Sequence, residues 1–135
     1  WTATLLAVPV KIEVVSGTTT IETKYVQLTL AGNYHFDTNL SGPYDVYASA
    51  PHWLRKNLGS FVLGGVTSGV SGTLTNGDID GDNEVGIGDY AILSSAYGST
   101  PADSPWVENA DLNGDESVDI GDYAVLSANF GLIGD

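Results

Sequence analysis

Polar and apolar positions change rhythm once along this chain. Up to about residue 76 the apolar positions recur every second residue, in short runs. Residues 11–15 (KIEVV) and 25–30 (YVQLTL) alternate in this way and are rich in β-branched and aromatic side chains. Residues 34–36 (YHF), 44–47 (YDVY), 60–63 (SFVL) and 72–75 (GTLT) are shorter pieces of the same kind. Turn pairs separate them at Ser16-Gly17, Gly32-Asn33, Gly42-Pro43, Gly64-Gly65 and Ser68-Gly69. Short period-two runs punctuated by such turns predict antiparallel strands in a small β-sandwich or open barrel. The opening residues 1–10 (WTATLLAVPV) are apolar and β-prone, with Pro9 confined to a strand end. Such a segment reads as an edge strand, or alternatively as a strand given to a neighbouring molecule's sheet.

Beyond residue 77 the rhythm becomes three-and-four. Ile87, Tyr90 and Ala91, Leu93 and Ser94, and Tyr97 predict a helix that Gly98 ends. Ile120, Tyr123 and Ala124, Ser127 and Phe130 predict a second, ended by Gly131. The two are copies: residues 78–98 and 111–131 align at an offset of 33 without an insertion. The connector between them carries Pro101 and Pro105 and is expected to be rigid, with Trp106 as its packing anchor.

A twelve-residue segment leads into each helix, with oxygen-bearing side chains at positions 1, 3, 5 and 12. These are Asp78, Asp80, Asp82 and Asp89 in the first copy, and Asp111, Asn113, Asp115 and Asp122 in the second. A calcium ion takes about six to eight oxygens at about 2.3–2.6 Å, and a tight loop turns positions 1, 3 and 5 inward together. Position 7 supplies a backbone carbonyl, here from Glu84 and Ser117. Position 9 often acts through a water; Gly86 leaves room for one and Asp119 could orient one. Val85 and Val118 stand at position 8, where paired loops ordinarily meet as two short strands. Two calcium ions are the expected cofactors. Magnesium suits fewer carboxylates, and the absence of Cys and His in the loops disfavours zinc and copper.

Charge sharpens the division. Residues 1–76 hold four basic and four acidic side chains, whereas residues 77–135 hold thirteen acids and no Lys or Arg, giving the net charge of −13. The boundary near Asn76-Gly77 is therefore expected to separate a domain at 1–76 from a second at 77–135. A surface this acidic excludes nucleic acid as a partner. No apolar run approaches the roughly 20 residues of a membrane helix. With no cysteine there is no disulfide framework and no cysteine nucleophile.

The segment from about Gly77 to Gly131 resembles a type I dockerin module, a pair of EF-hand-type calcium loop–helix repeats without the entering helices. The resemblance rests on the DxDxDxxVxxxD and DxNxDxxVxxxD loops and on their duplication. It implies calcium-dependent folding and docking onto a cohesin partner in secreted assemblies. Three departures qualify it. Position 6 is Asn83 and Glu116 rather than glycine, which strains the second loop more. Positions 10 and 11, often a Ser-Thr contact pair in the family, are Ile87-Gly88 and Ile120-Gly121. Neither helix carries Lys or Arg. The resemblance therefore implies metal binding, leaves a cohesin-like partner doubtful, and suggests that Ile87 and Ile120 bury against the chain's own sandwich. The first domain more faintly resembles carboxypeptidase-regulatory-like or immunoglobulin-like sandwiches.

No catalytic constellation emerges. His35 and His52 lie seventeen residues apart and read as structural, and Asp37 and Asp45 sit in a domain too small to enclose a cleft. Residues 39–41 (NLS) form a sequon on a turn. The expected protein is mixed in fold class: a small antiparallel β-sandwich followed by an α-helical paired calcium module. Its expected role is non-catalytic and extracellular, in protein–protein assembly. The alternatives are a self-assembling filament or surface-layer subunit, or a carbohydrate-binding module in which Tyr25, Tyr34, Tyr44, Tyr47 and Trp53 form a stacking platform.

Overall fold

The computed structural model describes residues 8–135, and the chain forms two units. The first holds the described residues up to Ala50 together with Arg55–Leu74; the second holds Pro51–Leu54 with Thr75–Asp135. The opening segment falls mostly outside the described residues, and only its end is seen, where Pro9 starts a strand.

In the first unit the alternating runs become β1 (Pro9–Ser16), β2 (Thr19–Gln27), β3 (Gly42–Ala50) and the greater part of β4 (His52–Leu63), ordered β2-β1-β3-β4. β1 pairs antiparallel with both β2 and β3, so it is interior and buries Val10, Ile12 and Val14. Pro9, which has no N–H for the ladder, is tolerated because it is the strand's first residue. A register shift between Val14 and Val15 is a bulge, and both valines are buried there. The short aromatic run at 34–36 and the run at 72–75 form no strand. Tyr34 instead stacks on Phe36 and donates its hydroxyl to the Val70 carbonyl at 2.6 Å.

Glu13, on the β1 face opposite Ile12 and Val14, is buried. It accepts from Arg55 Nε at 2.8 Å and lies 3.5 Å from Lys11 Nζ. Burial alone would raise its carboxyl, but Arg55 and Lys11 together outweigh that and hold it below the usual range. Arg55 also lies over the Tyr47 ring, 3.7 Å from its centroid. Within this unit Tyr47 thus packs under Arg55, and Tyr34 is tied to Val70.

The second unit contains the first residues of β4, the short strand β5 (Asn76–Asp78), and the helices α1 (Ile87–Ala96) and α2 (Ile120–Asn129). Both helices end before a glycine with positive φ, Gly98 and Gly131, as their periodicity predicts. The core is Leu54, Ile79, Val85, Leu93, Ala96, Ala110, Leu112, Val118 and Leu126, with Trp106 packed on it as the connector's anchor. The fold class is thus an antiparallel β unit followed by a two-helix loop–helix unit.

Asn76 is an organising residue within this unit rather than a bare turn. Its Oδ1 lies 2.7 Å from His52 Nδ1, its Nδ2 donates to the Leu112 carbonyl at 2.6 Å, and its own carbonyl accepts from Asn129 Nδ2 at 2.9 Å. His52 is buried, stacks on Trp53 and has a positive φ of 57°. Burial holds its imidazole below the ordinary value, against the pull of Asn76, Asp111 and Glu108. The next residue, Gly77, must be glycine on two counts: φ is +127°, and a Cβ would stand 3.0 Å from Val85 Cγ1.

Candidate metal centre and apolar face

Each loop folds by turning its own carboxylates onto its own backbone. Asp78 accepts from Gly81 N–H at 2.8 Å and Asn83 N–H at 3.0 Å. Asp111 accepts from Gly114 at 2.7 Å, Asp115 at 3.1 Å and Glu116 at 2.9 Å. These side-chain-to-backbone turns are what Asp favours at a loop start. They force position 6 into the left-handed region, at φ 69° for Asn83 and 64° for Glu116. Asn tolerates that conformation; Glu is disfavoured there.

Position 12 closes each loop. Asp89 is buried and accepts from Ile79 and Asp80 N–H through Oδ1 and from Gly86 N–H through Oδ2. Asp122, also buried, does the same with Leu112, Asn113 and Asp119. One carboxylate thereby ties positions 2, 3 and 9 to the start of the helix that follows. Asp119 accepts from Gly121 N–H at 2.7 Å, so it caps α2.

The residues at positions 1, 3 and 5 converge. Oxygens of Asp78, Asp80 and Asp82 all lie within 4.8 Å of one another. In the second copy the middle residue is the amide of Asn113, whose Nδ2 donates to Asp115 at 3.0 Å. Position 11 shapes the site as well. A Cβ on Gly88 would come 2.5 Å from Asp80 Oδ2, and one on Gly121 would come 2.8 Å from Asn113 Nδ2. Glycine there makes room for the position-3 side chain against the start of the helix, so the glycine at position 11 serves the cradle.

The electrostatics fit a cation. Burial raises the Asp78 carboxyl above the usual range, against the N–H groups of Asn83 and Gly81, with Asp89 and Asp82 adding to the rise. Asp80 is raised by burial first and by Asp89 and Asp82. Asp122 is raised by burial, against three backbone donors, with Asp111 adding to it. A divalent ion reverses this, because it favours the charged form of every carboxylate around it. The donors are hard oxygens without nitrogen or sulfur, and they suit calcium.

Val85 and Val118 are both buried in the core, but their backbones do not pair with each other as expected. Val85 donates to the Leu132 carbonyl at 2.8 Å and accepts from Gly131 N–H at 2.7 Å. Val118 donates to the Ser99 carbonyl at 3.0 Å and accepts from Gly98 N–H at 2.8 Å. Each loop pairs with the segment that follows the other repeat's helix.

Outside the loops the unit carries an apolar face. Ile87 is 74% exposed and Ile120 is 66% exposed, and neither belongs to the core of this unit. With so few residues, the core is filled by Leu93, Leu126 and the loop residues, and the first helical position of each repeat is left outward. Tyr90 and Tyr123 meet edge to face at 6.0 Å. Together with Ile87, Leu126, Ser127 and Phe130 they line a groove of about 400 Å³. No helix among the described residues is long and apolar enough to cross a membrane.

Two solved structures share the fold of the chain. A chain of a C-terminal interface mutant of a type II cohesin–X–dockerin complex from Acetivibrio cellulolyticus matches at TM-score 0.76 and 17% identity, over 99% of this chain and 89% of that one. A chain of an N-terminal interface mutant of the same kind of complex, from the same organism, matches at TM-score 0.66 and 20% identity, over 94% and 83%. No curated protein matches the chain. At the level of sequence, residues 76–131 match the profile of the dockerin type I domain.

Proposed function

We propose that residues 77–135 form a calcium-loaded docking module and that the chain is a non-catalytic component of an extracellular protein assembly, with residues 1–76 as its β-sandwich companion. Two ions bind, one in each loop. Asp78, Asp80, Asp82 and Asp89 hold the first with the Glu84 carbonyl; Asp111, Asn113, Asp115 and Asp122 hold the second with the Ser117 carbonyl. Calcium neutralises carboxylates that burial otherwise disfavours, and so stabilises the loops that support α1 and α2. At the millimolar calcium of an extracellular setting, even weak sites would fill.

The partner is a cohesin-class module. The observation that carries this is the outward face of Ile87, Tyr90, Ile120, Tyr123 and Phe130, apolar and aromatic in an otherwise acidic unit. A soluble domain rarely exposes such a cluster without a partner for it. The absent Ser-Thr pair is no argument against cohesin: Ile87 and Ile120 stand exposed at position 10 and supply an apolar contact in its place. Isothermal titration with type I and type II cohesins tests the assignment. Binding should occur with calcium and vanish in a chelator. Ile87→Asp combined with Ile120→Asp should weaken it by at least about a hundredfold, in the range of lost hot-spot residues. A folded, calcium-loaded chain that binds no cohesin overturns the assignment.

A further inference from the structure

Within the helical unit, each loop is held in shape by chain belonging to the other repeat. The segment after α2 pairs with the loop before α1 through three backbone hydrogen bonds: Gly131 N–H to Val85 O at 2.7 Å, Val85 N–H to Leu132 O at 2.8 Å, and Gly134 N–H to Asn83 O at 2.9 Å. Glu84 and Ile133 face each other as an antiparallel bridge. The reciprocal tie, from the segment after α1 to Val118, uses two such bonds.

The tie sets a metal-binding group. In extended chain successive carbonyls point to opposite sides. The carbonyls of Asn83 and Val85 both point at residues 131–134, so the Glu84 carbonyl between them is turned away from that segment. Position 7 of such a loop presents its carbonyl to the ion. The two ties differ in how they are anchored. Ser99, in the tie to the second loop, is 1% exposed and its hydroxyl is bonded to the Ala96 carbonyl. Ile133, in the tie to the first loop, is 71% exposed and holds its place by the backbone ladder.

We infer that residues 131–134 are a positioning segment for the first calcium site, which orients the Glu84 carbonyl and sets that site's affinity apart from the second. The inference rests on the calcium reading above. The segment itself need not touch the ion. It acts by fixing residues 83–85 before the ion arrives, so that binding does not have to order them.

The test is a calcium titration of the full chain in a calcium buffer, followed by NMR. The position-4 amides of Gly81 and Gly114 report the two loops separately. Two variants are compared with the unaltered chain: truncation after Gly131, and Gly134→Pro, which keeps the length and removes one donor. Truncation should weaken the midpoint at Gly81 by at least about tenfold, the loss of one to two net backbone hydrogen bonds. Gly134→Pro should weaken it less, and both should leave the Gly114 midpoint within about twofold. Helical circular dichroism in saturating calcium checks that the variants fold; a truncated chain unfolded there leaves Gly134→Pro as the deciding variant. Equal shifts at both glycines, or no shift at either, overturn the inference. An unaltered chain whose amides do not respond to calcium at all overturns the calcium reading itself, and this inference with it.

Discussion

Replacing Asn76 with alanine should unfold the helical unit at a markedly lower temperature, although Asn76 touches neither ligand set. Its side chain makes two bonds, to His52 Nδ1 at 2.7 Å and to the Leu112 carbonyl at 2.6 Å. Leu112 is fully buried, so its carbonyl would lose that donor where water has little access. A buried polar group left without its partner costs about 1–3 kcal/mol, and a second lost bond adds about 1 kcal/mol, for a total of about 2–4 kcal/mol. A unit of this size loses about 4–8 °C in Tm per kcal/mol, so Tm should fall by at least about 8 °C. Tryptophan fluorescence followed on heating, in excess calcium so that metal linkage stays constant, measures this. Asn76→Asp separates the two bonds, since a carboxylate accepts from His52 but cannot donate to Leu112. In the native protein His52 is held below its ordinary 6.5, so falling pH destabilises the fold as the unfolded imidazole protonates first. A carboxylate at position 76 favours the charged imidazole and opposes the effect of burial, so the loss of stability as pH falls should be smaller than in the native protein. A Tm shift of less than about 2 °C for Asn76→Ala would refute the organising role.

Three further outcomes follow from the same contacts. Calcium should raise Tm at pH 7, and the gain over a chelated sample should shrink as pH falls, beginning above the ordinary aspartate value of 3.8 because Asp78, Asp80 and Asp122 are all raised; a gain constant down to that value would be inconsistent with these ligands. Glu116→Asn should stabilise the protein by about 1 kcal/mol in chemical denaturation, because Asn accepts the left-handed backbone at φ 64° that Glu resists; a loss would show that the Glu116 side chain is needed. Arg55→Met should cost about 2 kcal/mol at pH 7, and the gap should close as pH falls through the depressed value of Glu13, since that pair stabilises above the unfolded 4.5 and is lost below the folded value; a gap independent of pH would place the cost in the Tyr47 stacking instead.

The helical unit was more legible than the β unit, for a physical reason. A duplicated segment states its period twice, and the ligand positions, helix starts and terminal glycines must agree in both copies. The helices at Ile87–Ala96 and Ile120–Asn129 fall where that agreement puts them. In the β unit each run stands alone, and pieces of three or four residues such as 34–36 and 72–75 carry too little pattern to distinguish a strand from an ordered loop. Three features were not legible. The grouping of Pro51–Leu54 with the helical unit depends on pairing across more than twenty residues, between His52–Trp53 and β5. The exchange of ties between repeats is made by backbone atoms, to which side-chain identity is nearly blind. The cradle at Gly88 and Gly121 shows only once the position-3 side chains are placed against it.

The duplication also explains why Asn76 stands where it does. The core of the helical unit is built from pairs related by the same offset: Ile79 with Leu112, Val85 with Val118, and Leu93 with Leu126. Such a core repeats itself, and the paired apolar residues alone do not distinguish one repeat's end of the unit from the other's. The symmetry breaks at the last helical position. Ala96 is fully buried, whereas its counterpart is Asn129, whose Nδ2 donates to the Asn76 carbonyl. Leu54 completes the core with no counterpart in the other repeat, and Ala110 stands where the first copy has the buried Gly77. The polar bonds of Asn129, Asn76 and His52 therefore fall where the repeat is broken, and they can form at one end only. An apolar residue at position 129 would restore the symmetry and remove that distinction. Hydrophobic packing between the copies builds this unit, and a small set of amide hydrogen bonds decides which copy receives the incoming strand.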